Sequence, residues 1–195
     1  MGDGISGGMG LARGEVLVEA IVEIPKGAQN KYEYDEGTGV FRLDRVLYSP
    51  VHYPADYGFV RGTRTEDGDP LDILILVSNP TFPGCLVPAR VIGALVTEDE
   101  RGMDTKLLSV AAVDPRYERV EELRHLSPHS VREIEYFFAI YKELEGKKSA
   151  VTGWRDRDFA VEVLARARKG WEEANPRGSP ASRAAGLPLQ GVRGP

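Results

Sequence analysis

The segment Glu66–Val77, EDGDPLDILILV, sets Asp67, Asp69 and Asp72 within six residues, with Gly68 and Pro70 between them, directly before an apolar run. Two carboxylates about 5 Å apart repel by roughly 3 kcal/mol at an effective dielectric near 20, so the cluster calls for a compensating partner. Asp-Gly and Asp-Pro pairs are common turn chemistry, and a β-turn accounts for the glycine and the proline. It does not account for Asp72 at the edge of a wholly apolar strand. Hard divalent cations account for all three, because Mg²⁺ takes oxygen ligands from a few carboxylates and shares the rest of its shell with water and substrate phosphates. The spacing does not fit an EF-hand: counted from Asp67, the sixth position is Asp72 rather than glycine and the twelfth is Ser78 rather than glutamate.

A second acidic group, TEDERGMDTK, holds Asp99, Asp104 and Lys106; alone it reads as a solvated hairpin loop. Glu23 adds a carboxylate on the polar side of an alternating segment. Basic and phenolic side chains balance these acids. KYEYD carries Lys31 and Glu33 on one side of an extended segment, LDRV carries Arg45, HYPADYG carries Tyr53 and Tyr57, and FFAIYKELE carries Tyr141 and Lys142. Each has a plain reading as surface charge or a buried ring. Taken together they suit phosphoryl transfer, since Arg forks phosphate oxygens, Lys offers a point charge and a Tyr hydroxyl donates one directed bond. Other chemistries lack their motifs. There is no CxxC, GxSxG or GxGxxG; Tyr141 stands where LEGKKS would need the first glycine of a phosphate-binding loop. His125 and His129 are separated by Pro128, so they cannot form a helical zinc pair.

Elements that could position these groups follow from periodicity. EVLVEAIVEI (15–24) alternates, with Val16, Val18, Ala20, Val22 and Ile24 on one side. KYEY and VFRLD flank DEGTG as a hairpin, and 73–77 predicts a strand covered on both faces. Further strands are expected at 86–97 and 106–113, joined by the acidic loop EDERGMD, with a short helix at 117–123. Ser127-Pro128 caps a helix with Val131, Ile134, Phe138 and Tyr141 inward, ending at Gly146. A second helix runs from about Asp156 to Ala174, with Ala160, Val163, Leu164, Ala167 and Trp171 inward. Strands first and helices last suggest an α+β plan, a small barrel or curved sheet flanked by helices.

Bulk composition narrows the function. The chain has 195 residues and a net charge of −5, which argues against a general nucleic-acid binder. Residues 1–14, with six glycines, read as a disordered leader, and residues 175–195, with four glycines, four prolines and three arginines, as a floppy tail. The body at 15–174, read as one domain, carries a charge near −8. No apolar run reaches a membrane span, and the single Cys85 excludes an internal disulfide framework, which makes a cytoplasmic setting the default.

The blocks EIPKG with NKYEYD, LDRVLYSPVHYPADYGF, EDGDPLDILIL, DERGMDTK and FFAIYKELE, in this order, resemble the family I soluble inorganic pyrophosphatases of bacterial type over about residues 15–174. The resemblance implies a five-stranded, OB-like β-barrel flanked by two or three helices and the Mg²⁺-dependent hydrolysis of pyrophosphate to two phosphates, with several ions per site. By position it implies Asp67, Asp72 and Asp104 as principal metal ligands, with Asp99 and Glu23 serving further cations. Lys31, Arg45, Tyr57, Lys106, Tyr141 and Lys142 would grip phosphate oxygens, and Glu33 and Tyr53 would support them. Asp69 is expected as general base, with Asp104 the alternative. A homo-oligomer, a hexamer by family analogy, is expected as the assembly, with no nucleic acid or membrane as partner. Two other functions compete: a non-catalytic OB-like module for single-stranded nucleic acid, which calls for a basic groove, and a phosphohydrolase for nucleotides or polyphosphate.

Overall fold

A computed structural model describes residues 15–100 and 102–176, so the leader at 1–14 and all but the first two residues of the expected tail lie outside it. Among the described residues eight strands form: β1 (Leu17–Ile24), β2 (Asn30–Asp35), β3 (Val40–Val46), β4 (Asp56–Val60), β5 (Asp72–Leu76), β6 (Leu86–Asp99), β7 (Gly102–Ala111) and β8 (Ser149–Arg155). Two α-helices join them, α1 (Pro128–Ile140) and α2 (Arg157–Ala174). Strands β1, β4, β5, β7 and β6 are neighbours in that order, and β6 pairs back onto β1 to close a five-strand ring. Closure leaves those five strands without an open pairing edge between them. β8 extends β6 outside the ring, while β2 and β3 form a separate two-stranded sheet.

β1 alternates as its sequence requires: Val18, Ala20, Val22 and Ile24 are buried and the residues between them are half-exposed. β5 is buried along 73–76, as an all-apolar strand must be, and its two sides feed two cores. Ile73 and Ile75 join Ala20, Val60, Val91 and Leu107 from the other four ring strands, closed by Ala160, Leu164 and Ala167 of α2. Leu74 and Leu76, on the opposite face, join Leu108 and Val110 of β7 beneath Ile134, Phe137 and Phe138 of α1.

Both helix starts match expectation. Ser127 caps α1 by accepting from the His129 N–H with Pro128 at the first position, and Asp156 caps α2 by accepting from the Phe159 N–H. Val163 and Trp171 lie half-buried, and Val163 packs against the first core.

Several boundaries are corrected. β4 and β8 were not anticipated. β4 contains Asp56 and Gly58, poor strand formers by themselves, yet a Cβ at Gly58 would stand 1.9 Å from the Ile21 carbonyl oxygen, so only glycine lets β1 pair so closely. β8 mixes strand-favouring Val151, Thr152 and Trp154 with Ser149 and Gly153, and pairs with β6 along its length. The expected acidic loop is instead mostly strand: Asp99 ends β6, Asp104 lies within β7 opposite Thr97, and only residues 100–101 connect them. The helix expected at 117–123 is replaced by 3-10 turns at Pro115–Tyr117 and Leu123–His125, the first opened by the Asp114 side chain accepting from the Arg116 N–H. α1 stops at Ile140 rather than Gly146, and a 3-10 turn, Glu143–Glu145, fills the difference. No helix among the described residues is long and apolar enough to cross a membrane.

Candidate active site

Two-residue periodicity places the centre of the site. β5 and β7 run parallel with Ile73 opposite Leu107, so Asp72 at the start of β5 stands beside Lys106 midway along β7. Both lie on the face that further along carries Leu74 and Leu108, and Asp104, two residues before Lys106, shares that face. The apolar layer under α1 therefore runs out into a polar mouth. There the Lys106 Nζ donates to Asp72 Oδ2 at 2.8 Å and to Asp104 Oδ2 at 2.6 Å. The Tyr57 hydroxyl, from β4, donates to the same Asp72 Oδ2. Lys106 is 4% exposed, while Asp72 and Asp104 remain 31% and 44% exposed, so the cation is held inside and the carboxylates face out.

The electrostatics follow from this packing. Burial would push the Lys106 ammonium down, but Asp72 and Asp104 more than offset it, and its pKa rises above the ordinary lysine value. Rings of Tyr57 and Phe138 lie 5.4 and 5.7 Å from its Nζ, adding cation–π contact. Burial, reinforced by the charge of Asp72, raises Tyr57 well above the phenol range. Tyr53 is likewise raised by burial, within the fields of Tyr141, Lys106, Arg45 and Asp72. Both tyrosines stay protonated donors at neutral pH.

Other expected residues surround this centre. Burial pushes the Glu23 carboxyl up to about 7; the Tyr34 N–H opposes the rise, and Asp72 adds to it. That N–H donates to Glu23 Oε1 at 2.8 Å, tying β1 to the β2–β3 hairpin. The hairpin carries Lys31, paired to Glu33 and 3.3 Å from Asp44, and Arg45, which also donates to Asp44. At the end of α1 the Lys142 Nζ donates to Asp99 Oδ2 at 2.9 Å, and Tyr141 stacks on Phe137.

Asp67 and Asp69 stand apart from this network. They occupy an exposed turn in which the Thr65 N–H donates to the Asp69 carbonyl at 2.8 Å and the Asp69 N–H to Asp67 Oδ1 at 3.3 Å. Gly68 at its corner has φ +95°, a backbone shape that disfavours side chains. The site thus gathers Asp72, Asp104, Tyr53, Tyr57 and Tyr141 around the buried Lys106 ammonium, while Asp67 and Asp69 bond within their own turn. Sequence reasoning passed over Asp44 and Glu145, and read Phe138 only as an inward helix residue. Asp44 and Glu145 sit inside quoted motifs, but nothing in local spacing marks a carboxylate as a partner for Arg45.

The donor set fits magnesium by chemistry: the candidate ligands are all carboxylates, with neither thiol nor imidazole. Among the described residues no three acidic, histidine or cysteine side chains are gathered into a closed cage. A pair of half-exposed carboxylates is nonetheless the kind of partial shell that Mg²⁺ completes with water and phosphate.

Comparison with known proteins decides the family. A sequence model described as inorganic pyrophosphatase matches residues 20–172. The chain belongs to the inorganic pyrophosphatase family. It is 51% identical over 148 residues to the inorganic pyrophosphatase of Halalkalibacterium halodurans, covering 76% of this chain and 91% of that one. The Methanosarcina acetivorans enzyme is 45% identical over 162 residues, covering 83% and 96%. The crystal structure of the Thermus thermophilus inorganic pyrophosphatase superposes with a TM-score of 0.79 at 41% identity, covering 83% of this chain and 94% of that one. The protein is accordingly an inorganic diphosphatase, a hydrolase of the pyrophosphate anhydride, in a magnesium-dependent family. The α+β ring with two helices is the pyrophosphatase fold.

Proposed function

We propose that hydrolysis takes place at the polar mouth around Lys106, with Asp67, Asp72 and Asp104 as principal magnesium ligands and Asp99 and Glu23 serving further ions. The observation that carries this reading is the single buried ammonium of Lys106 held between Asp72 and Asp104, with Tyr57 on the same Asp72 oxygen. Magnesium, when bound, supplies water activation and neutralises phosphate charge. Asp69, on its exposed turn, is the general base that takes the proton of the attacking water; Asp104 is the competing choice. As the water oxygen bonds to one phosphorus, the anhydride bond breaks and its electron pair leaves with the second phosphate. Lys31, Arg45, Lys106 and Lys142 meet that charge, while Tyr57 and Tyr141 each direct one O–H at a phosphate oxygen. Glu33 and Tyr53 hold their neighbours in place.

A site lined by acids and completed by cations suits a small polyanion better than a nucleic-acid strand, and its grip on both phosphates leaves little room for a nucleoside. We further propose that residues 15–174 act as one catalytic domain, in the cytoplasm, and as a homo-oligomer, a hexamer by family analogy, which light scattering would read. The decisive experiment is phosphate release from pyrophosphate across a Mg²⁺ titration. The wild type turns over and EDTA abolishes the activity; Asp72→Ala keeps its circular dichroism spectrum and loses about a thousandfold or more in kcat. Full activity in Asp72→Ala would overturn the assignment.

A further inference from the structure

The hairpin that carries Lys31 and Arg45 pairs with no strand of the ring, so backbone hydrogen bonding within the sheet does not set where Arg45 stands relative to Lys106. Backbone bonds hold its base, from the Leu47 N–H to the Gln29 carbonyl and from the Tyr53 N–H to the Ala28 carbonyl, and side-chain ties add to them. One is the Glu23 contact to the Tyr34 N–H, and a second is the Tyr34 ring stacked on Phe59 of β4 at 5.9 Å. The third crosses 100 residues of sequence: Arg45 Nε donates to Glu145 Oε1 at 3.0 Å. This tie alone ends on a side chain proposed to hold substrate.

Glu145 is built for the contact. It closes the 3-10 turn after α1, where three residues complete a turn and side chains at i and i+3 fall one above the other. Glu145 therefore shares a face with Lys142, which reaches Asp99 from the same turn. Gly146, at φ +71°, stops the turn in the left-handed region and keeps this register. The Glu145 side chain is 5% exposed, and its second oxygen accepts from Lys147 Nζ at 3.2 Å. A carboxylate so buried needs cationic partners, and it has two.

We propose that Glu145 is a positioning residue for pyrophosphate, its carboxylate fixing the Arg45 guanidinium through Nε so that the remaining N–H groups of the fork face the phosphate. The inference rests on the reading that Arg45 grips substrate. Asp44 takes one N–H of Nη1 and Glu145 takes Nε, which leaves Nη2 and one N–H of Nη1 uncommitted to these two acids. Side-chain freedom in Arg is large, so anchoring Nε removes entropy that substrate binding would otherwise lose.

The test is a double-mutant cycle on the full chain, read as KM and kcat for pyrophosphate at saturating Mg²⁺. Arg45→Ala raises KM about thirtyfold and Glu145→Ala about tenfold, with kcat in the latter within about threefold of wild type. The double variant matches Arg45→Ala, since Glu145 acts only through that guanidinium. Glu145→Gln, which keeps an acceptor oxygen in place, restores KM to within about threefold of wild type. An unshifted KM in Glu145→Ala beside a raised one in Arg45→Ala overturns the positioning role alone. Effects that multiply in the double variant overturn it too. An unshifted KM in Arg45→Ala removes the substrate contact and the inference with it. If truncation prevents folding, Glu145→Asp takes its place: a KM rise that vanishes in the Arg45→Ala background supports the role, and any other pattern overturns it.

Discussion

Asp69 and Asp72 are three residues apart in one motif and stand in opposite surroundings. Asp72 opens a buried strand and shares one oxygen between a buried ammonium and a phenol, whereas Asp67 and Asp69 sit on an exposed turn held by Thr65 and by each other. The contrast separates two tasks. A charge that must already be in place when substrate arrives is held by protein partners, and reorganising it during reaction would cost rate. On the proposed mechanism Asp69 would exchange a proton with water, and its exposed turn leaves it hydrated for that.

Removing the buried cation should break the first region most severely. Lys106→Met leaves Asp72 and Asp104 facing each other without a counter-charge; kcat is expected to fall about a thousandfold in steady-state phosphate release. Metal-free stability in urea should drop by on the order of 2 kcal/mol, less than for a fully enclosed pair because both carboxylates reach solvent. Saturating Mg²⁺ should recover part of that loss.

The turn should respond differently. Asp69→Asn is expected to lower kcat about a hundredfold or more while unfolding stability stays within about 0.5 kcal/mol of wild type. An equal loss in stability would mean the turn is structural and would erase the contrast.

Glu23 gives the sharpest readout. Its pKa is raised from 4.5 to about 7, chiefly by burial, so between these values the folded chain keeps a proton that the unfolded chain has released. Stability of the metal-free enzyme therefore falls as pH rises from about 4.5 to 7, by up to about 3 kcal/mol if the whole shift is expressed. Glu23→Gln should flatten that slope in urea titrations at pH 5 and pH 7.5. A slope unchanged by the substitution would assign the pH dependence elsewhere.

Much of the fold is legible in the sequence. The alternation of 17–24, the apolar 73–76, the Ser127-Pro128 cap and the Asp156 start are local signals, and local rules describe them. β4 and β8 escaped because Asp56, Gly58 and Gly153 interrupt otherwise strand-favouring residues, and pairing with β1, β5 and β6 supplies what the local pattern lacks. The acidic stretch 98–104 was misread as a loop because its consecutive charged residues carry no apolar alternation; the ends of β6 and β7 pair there beyond the buried core.

The sequence by itself determined which side chains were available: the aspartates before an apolar strand, the lysines, arginine and tyrosines in ordered blocks, and the caps that start both helices. Only the tertiary structure decided that one ammonium, Lys106, is buried between Asp72 and Asp104, and that Glu145 meets Arg45 across 100 positions. Propensity and capping depend on residues a few positions away, whereas burial and charge pairing depend on which strands close the ring and which helix covers them.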